Sequence, residues 1–397
     1  MSRFVYAIAT MDTKGEELAY VAACLRAVGV DVKTVDVGTL AEPSVEPDIP
    51  RSMVLGRETI DHGGDRGTAV TAMGDALQTF LRNEYQSGDL AGVIGIGGSG
   101  GTAIVTAAMR QLPIGLPKLM VSTVASGNTA AYVDSSDITM MYSVVDVAGL
   151  NAVSEKVLGN AAHAMAGMVL HPVVSRGAKP TLGMTMFGVT TPCVTAVRES
   201  LQADGYDCLV FHATGTGGRA MEKLVESGMI QGVLDISTTE VADEVVGGMF
   251  PAGPHRFETL IERQIPLVIS VGALDMVNFG AMETVPQAFG HRNLHVHNEQ
   301  VTLMRTNIEE NREIARWIAG KLNQSVAPLT MLIPEGGVSM LDAPDQPFYD
   351  PHADAMLFGE LEKQIDQTES RRVIRLPHHI NDPLFAQALV DHFRQLR

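Results

Sequence analysis

Short apolar runs alternate with stretches of helical spacing along the chain, the pattern of strands and helices taken in turn. Residues 4–10 (F-V-Y-A-I-A-T) predict a first strand, and residues 11–15 (M-D-T-K-G) predict a polar loop before a helix over 16–28. Gly29 ends that helix, and residues 30–37 predict a second strand closing on Asp36 and Gly38. A strand, a helix and a strand in this order require a parallel pair and a right-handed crossover. Thr10, Asp12, Thr13 and Lys14 then lie at a carboxyl edge, where open α/β sheets hold their ligands. Asp36 falls where dinucleotide folds place a ribose-binding carboxylate, with an ordinary loop acid as the alternative.

The next apolar run, residues 90–94, breaks into G-I-G-G-S-G-G-T at Gly95 to Thr102, after which a helical pattern resumes over 103–112. Gly97, Gly98, Ser99, Gly100, Gly101 and Thr102 have the composition of a phosphate cradle. Glycines let successive N–H groups converge, the following helix adds its unpaired donors, and two hydroxyls stand among them. No Lys follows the last glycine, so this is not a Walker loop, and the adjacent glycines break G-x-G-x-x-G. It points to an anion; a turn that merely packs helix on strand is the alternative. A strand over 118–122 leads to a second loop of small residues, with Ser122, Thr123, Ser126 and Gly127 as candidate ligand contacts. Residues 40–66, with three prolines and the polar string at 61–66, read as a long excursion. A fifth strand is expected within 138–145 and a long alanine-rich helix over 151–170.

The second half repeats the pattern of the first. Residues 25–32 (L-R-A-V-G-V-D-V) correspond to 201–208 (L-Q-A-D-G-Y-D-C), 91–96 to 231–236, and 117–122 to 266–271, in the same order. The expected fold is therefore α/β, with two Rossmann-like doubly wound parallel-sheet domains related by internal duplication, spanning 1–178 and 179–397. In the second domain the glycine cradle is replaced by S-T-T-E-V-A-D, which carries Glu240, and the second strand ends in H-A-T-G-T-G-G-R. That loop can hold an anion with backbone N–H groups and a guanidinium, so His212 and Arg219 are candidate site residues, beside Glu240 and Asp275. A structural role for each is the alternative. His295 and His297 alternate as on a strand, without a third metal ligand at a recognisable spacing, so no metal site is expected there.

Composition narrows the partners. The formal charge of −17, from 29 basic and 46 acidic side chains with no local basic run, disfavours nucleic acid. An anionic ligand must then be held by local dipoles. Cys24, Cys193 and Cys208 have no C-x-x-C spacing, Cys24 and Cys208 lie within apolar runs, and no apolar stretch approaches membrane-spanning length. With no signal-peptide pattern before the first strand, a cytoplasmic location without membrane contact is expected.

Read together, T-M-D-T-K-G, G-I-G-G-S-G-G-T, S-T-V-A-S-G-N-T, H-A-T-G-T-G-G-R-A-M-E, G-V-S-M-L-D and F-Y-D-P-H-A-D give the chain a specific resemblance. It resembles the bacterial relatives of the ATP-binding inhibitory domain of the tomato mosaic virus resistance protein, over essentially its whole length. The resemblance implies Rossmann-like halves, ATP in the N-terminal half and a homodimer. By motif it places Gly97 to Thr102 against the phosphates, beside Thr10, Asp12, Thr13 and Lys14. The expected function is a nucleotide-dependent enzyme transferring a phosphoryl or adenylyl group to a small anionic metabolite in a cleft between the domains. Lys14 would neutralise phosphate, Asp12 would hold Mg²⁺, and Arg219 would bind the substrate. The alternatives are a regulatory protein that binds ATP without consuming it, and a nucleotide-independent lyase or hydrolase.

Overall fold

The computed structural model of the chain describes residues 3–56, 66–173 and 179–396. The polar string at 61–65 and the residues around the expected boundary, 174–178, lie outside the described residues. The chain divides into two compact units, Met1–Ser175 and Arg176–Arg397.

Unit 1 runs β1 (Phe4–Ala9), α1 (Met11–Ala27), β2 (Val32–Asp36), α2 (Arg51–Leu55), α3 (Arg66–Ser87), β3 (Leu90–Gly97), α4 (Ser99–Arg110), β4 (Lys118–Ser122), α5 (Ala130–Val133), β5 (Thr139–Tyr142) and α6 (Ala152–Leu170). Its strands are parallel and stand in the order β2-β1-β3-β4-β5. Along β1 the side chains alternate between faces. Val5, Ala7 and Ala9 pack with Leu18 and Val21 of α1 and Leu158 and Met165 of α6. Tyr6 and Ile8 pack with Met73 and Leu77 of α3 and Ile104 and Met109 of α4. Helices thus cover both faces, and the helix after β1 and the helix after β3 leave on opposite sides. The crevice between those two strand ends is the switch point of a doubly wound sheet.

Unit 2 runs β6 (Thr181–Met186), α7 (Thr191–Ala203), β7 (Asp207–His212), α8 (Thr216–Glu226), β8 (Gly232–Ser237), α9 (Thr239–Val246), α10 (Glu258–Glu262), β9 (Leu267–Gly272), β10 (Met276–Phe279), β11 (Leu294–Asn298), β12 (Val301–Arg305), α11 (Ile308–Leu322), β13 (Leu329–Pro334), α12 (Pro351–Gln364), β14 (Arg371–Leu376) and α13 (Pro383–Gln395). Its six-stranded parallel sheet has the order β14-β13-β9-β8-β6-β7. Ranked within the unit this is 2-1-3-4-5 with a sixth strand added, the order found in unit 1. A small antiparallel sheet, β10-β12-β11, departs between the fourth and fifth ranks. The three sequence correspondences fall on α1–β2 and α7–β7, on β3 and β8, and on β4 and β9, at equal ranks of the two sheets. The equivalence is one of topology.

Two local expectations are corrected. Residues 11–15 are not an open loop: α1 begins at Met11 and is interrupted only at Lys14, whose φ of −134° and ψ of 24° are non-helical. The early start follows from Asp36, whose Oδ1 accepts the Met11 N–H at 3.0 Å. The glycine run is also shorter than expected, because β3 continues through Gly97 and α4 starts at Ser99. Of the cysteines, Cys193 is the buried one and Cys24 and Cys208 are half-buried.

Thr102 and Ser122 are wholly buried, and their hydroxyls meet at 2.6 Å, tying the first turn of α4 to the end of β4. Ser122 Oγ also accepts the Val124 N–H at 3.1 Å. Thr102→Val should cost about 1–3 kcal/mol, the price of stranding a buried hydroxyl. Thr102→Val with Ser122→Ala should recover part of it in urea unfolding; additive losses would show that the contact is not energetic.

Candidate functional site

The carboxyl edge of sheet 1 carries every first-domain residue singled out from the sequence, but not all of them open outward. Thr10 and Thr13 stand at the end of β1 with their hydroxyls 3.3 Å apart, and Lys14 lies one residue on with its ammonium donating to the Val147 carbonyl at 2.5 Å. Asp12 is partly committed, since its Oδ2 accepts the Leu40 N–H at 3.1 Å. Asp36 is only 1% exposed. It accepts from Met11 and Gly38 and pairs with Arg51 Nε at 3.0 Å, so it anchors the start of the 40–56 excursion rather than presenting itself to a ribose. Beyond it, Asp36, Leu40, Pro43, Pro47, Pro50 and Arg51 are among the residues lining a cavity of about 500 Å³. Ser99, Ser126 and Gly127 are exposed and Gly98, Gly100 and Thr123 half-buried, whereas Thr102 and Ser122 are turned inward on each other.

The glycines of the cradle separate by what a Cβ would meet. At Gly95 it would lie 2.6 Å from both the Met120 Sδ and a Val105 methyl, and at Gly97 2.8 Å from the Thr102 nitrogen. Those two are demanded by packing and by the turn. At Gly98 the nearest atom is 3.8 Å away, at Gly100 4.0 Å and at Gly101 3.6 Å, and none of the three has a positive φ. The fold itself does not require glycine there. Gly98 is also the N-cap of α4 and, lacking a side chain, caps nothing, so among the described residues no capping side chain meets the first N–H groups of the helix.

Unit 2 treats the corresponding edge differently. The G-T-G-G-R loop does bind an anion through its backbone, but the anion is the protein's own Glu240, whose Oε2 accepts the Gly215 N–H at 2.8 Å. A Cβ on Gly218 would overlap Glu240 Oε1, and one on Gly217 would overlap the His212 carbonyl, which explains the glycines. The guanidinium is Arg256, not Arg219. Fully buried, it meets Glu240 at 2.6 Å, Asp235 at 2.6 Å and Glu222 at 2.5 Å. Burial pushes the Glu222 carboxyl up, against the pull of Arg256. Arg219 is half-buried with Nη1 3.5 Å from the Pro251 carbonyl, and His212 is exposed on the outer strand with its ring 5.4 Å from that of Phe187.

Asp275 lies in a second buried cluster around Arg305. Arg305 pairs with Asp354 at 2.6 Å and with Asp342 at 3.6 Å, while Ser339 donates to Asp275 at 2.7 Å. Burial pushes Asp275 and Asp354 up. Glu240 and Asp275 therefore belong to separate closed clusters and are not assembled with His212 or Arg219. In the sequence Arg256 stands only as one more polar residue of the second half, and Arg305 was missed; the signal for Arg305 lay in G-V-S-M-L-D and F-Y-D-P-H-A-D, which end on Asp342 and Asp354. Among the described residues no three His, Cys, Asp or Glu side chains gather as metal ligands.

Comparison with known sequences places this arrangement. Residues 3–173 match the N-terminal domain, and residues 179–397 the C-terminal domain, of the uncharacterised protein family UPF0261. The chain belongs to the UPF0261 family. It is 55% identical to a UPF0261 protein of Rhizobium meliloti over 99% of this chain and 98% of that one. It is 49% identical to the ToMV resistance protein Tm-1(GCR237) of Solanum lycopersicum over 99% of this chain, which spans 55% of the tomato protein. Among solved structures, MurG of Acinetobacter baumannii aligns over 100% of this chain and 95% of its own at 10% identity, and UDP-N-acetylglucosamine 2-epimerase of Rickettsia bellii over 68% and 78% at 9% identity, each with a TM-score of 0.24. A likeness that low carries no argument, and the fold description rests on the strand orders. Among the described residues no helix is long and apolar enough to cross a membrane.

Two outcomes follow for this UPF0261 chain. Arg256→Met strands three buried carboxylates and should cost about 3–5 kcal/mol in chemical denaturation; a loss under about 1 kcal/mol would show that the cluster is not held by its arginine. Burial also pushes Asp243 up to about 7, although it accepts from the Asn278 and Phe250 amides. Its unfolded value is about 3.9, so its stabilising contribution is full below that and is lost as pH rises through 7. Stability should accordingly fall as pH rises from about 4 to about 7 and level off above that, and Asp243→Asn should flatten that slope. An unchanged slope in the variant would assign it elsewhere.

Proposed function

We propose that unit 1 binds the phosphates of a nucleotide in the crevice between the β1 and β3 ends, with ATP the nucleotide that the family resemblance implies. The observation that carries this reading is the set Gly98, Gly100 and Gly101, which have room for a Cβ and an ordinary backbone yet bear none. A glycine in a helix's first turns costs up to about 1 kcal/mol relative to Ala. Close approach of a ligand to the backbone accounts for Gly100 and Gly101 where internal packing does not, while Gly98 stands at the N-cap, a position that glycine fills more readily than Ala. On the other lip, Thr10, Thr13 and Lys14 supply two hydroxyls and the ammonium that a triphosphate needs in a chain of net charge −17. Asp12, with one oxygen held by the excursion backbone, is the residue for Mg²⁺.

Binding rather than turnover is the reading that the geometry supports best. Transfer to a second anionic substrate would call on the unit 2 carboxylates, and Glu240 and Asp275 are spent on internal partners. Calorimetry with Mg·ATP tests the proposal. Gly98→Ala and Gly100→Ala should each weaken ATP binding by about tenfold or more, the worth of one charge-assisted contact, while Gly100→Ala raises stability by about 0.5–1 kcal/mol. Unchanged affinity in both variants would leave the cradle as a packing turn.

A further inference from the structure

The segment that joins β5 to α6, residues 143–150, contains an unfavourable turn and is tied to α1 beyond it. Val145 N–H donates to the Ser143 carbonyl at 2.8 Å across Val144, whose φ is 67°. This is a γ-turn of the strained hand, and a β-branched residue is poorly suited to it. Val144 is 56% exposed, so packing of its own side chain does not impose the conformation. Ser143 Oγ closes the turn by donating to the Val145 carbonyl at 2.7 Å, and the segment beyond it is tied to one helix: Lys14 donates to the Val147 carbonyl at 2.5 Å, and Glu17 accepts the Gly149 N–H at 2.6 Å.

Resting on the nucleotide reading, we propose that Lys14 is a clasp that exchanges partners: phosphate in the Gly98–Gly101 cradle draws its ammonium from the Val147 carbonyl and frees the 143–150 strap to relax. The two partners are unequal, since an ammonium bonds an anionic phosphate oxygen more strongly than a neutral carbonyl. Position supports the exchange. Lys14 sits on one lip of the β1/β3 crevice at the non-helical joint of α1, and the strap lies beyond β3 and β4 in the sheet order. A strap with a positive-φ valine has a lower-energy shape available once the clasp opens. The site would thereby report its occupancy on a surface that carries the exposed Tyr142, Val144, Val145 and Leu150.

Hydrogen exchange read by mass spectrometry on the full chain, with and without Mg·ATP, tests this beside calorimetry. ATP should speed exchange across 143–150 by about tenfold or more, the effect of losing one charge-assisted hydrogen bond. Lys14→Met should show the fast rate without ligand and no further change with it. Gly98→Ala, which keeps the clasp, should start slow and need about tenfold more ATP than the wild type to reach the fast rate. ATP binding without faster strap exchange, or a slow strap in ligand-free Lys14→Met, would overturn the clasp and leave the nucleotide reading intact. Absence of ATP binding in the wild type would overturn both.

Discussion

The carboxyl edge of a parallel sheet gathers helix N-termini that favour negative charge, and each unit of this chain must answer that demand. Unit 2 answers it from within. Glu240 enters the Gly215 loop, Arg256 neutralises it, and Asp235 and Glu222 share the same guanidinium. Burying four ionisable groups is expensive, and such clusters seldom stabilise a protein relative to well-packed apolar residues. Their consequence here is local closure: the Gly215 loop at the edge of sheet 2 is filled by a carboxylate of its own chain. Arg305 and its three carboxylates repeat the device under the late loops.

Unit 1 has the same strand order and no such internal anion among the residues described at its cradle. Its α4 starts from a glycine without a capping side chain, and that unmet demand is where we place the ligand. The glycines make the contrast physical. Gly217 and Gly218 are glycine because Glu240 and the His212 carbonyl occupy the space of a Cβ, whereas at Gly98 and Gly100 that space is empty. Similar-looking strings thus serve opposite ends, one packing around a resident carboxylate and the other left open.

Much of this was legible in the sequence, and the misses have common causes. The alternation of apolar runs and helical spacing located the parallel strands, and T-M-D-T-K-G and G-I-G-G-S-G-G-T fell at the switch point because topology follows from the βαβ order. Period alone could not show that Asp36 would draw α1 forward to Met11, or that α4 would begin inside the glycine run. The second-domain residues misled for a related reason. His212, Arg219, Glu240 and Asp275 were grouped because they are polar and close to strand ends, but burial decides whether such a residue meets a ligand or an internal partner. Arg256 and Arg305 lie far in sequence from the carboxylates they hold, so no local string shows that those groups meet.

The central claim is that the open edge of sheet 1, and not the filled edge of sheet 2, receives the phosphates. A crystal structure of the full chain with a non-hydrolysable ATP analogue measures this directly. The account predicts phosphate oxygens within hydrogen-bond distance of the Ser99, Gly100 and Gly101 amides, with Glu240 still seated on Gly215. Phosphate in the Gly215–Gly218 loop with Glu240 displaced, or analogue bound away from both loops, would contradict it.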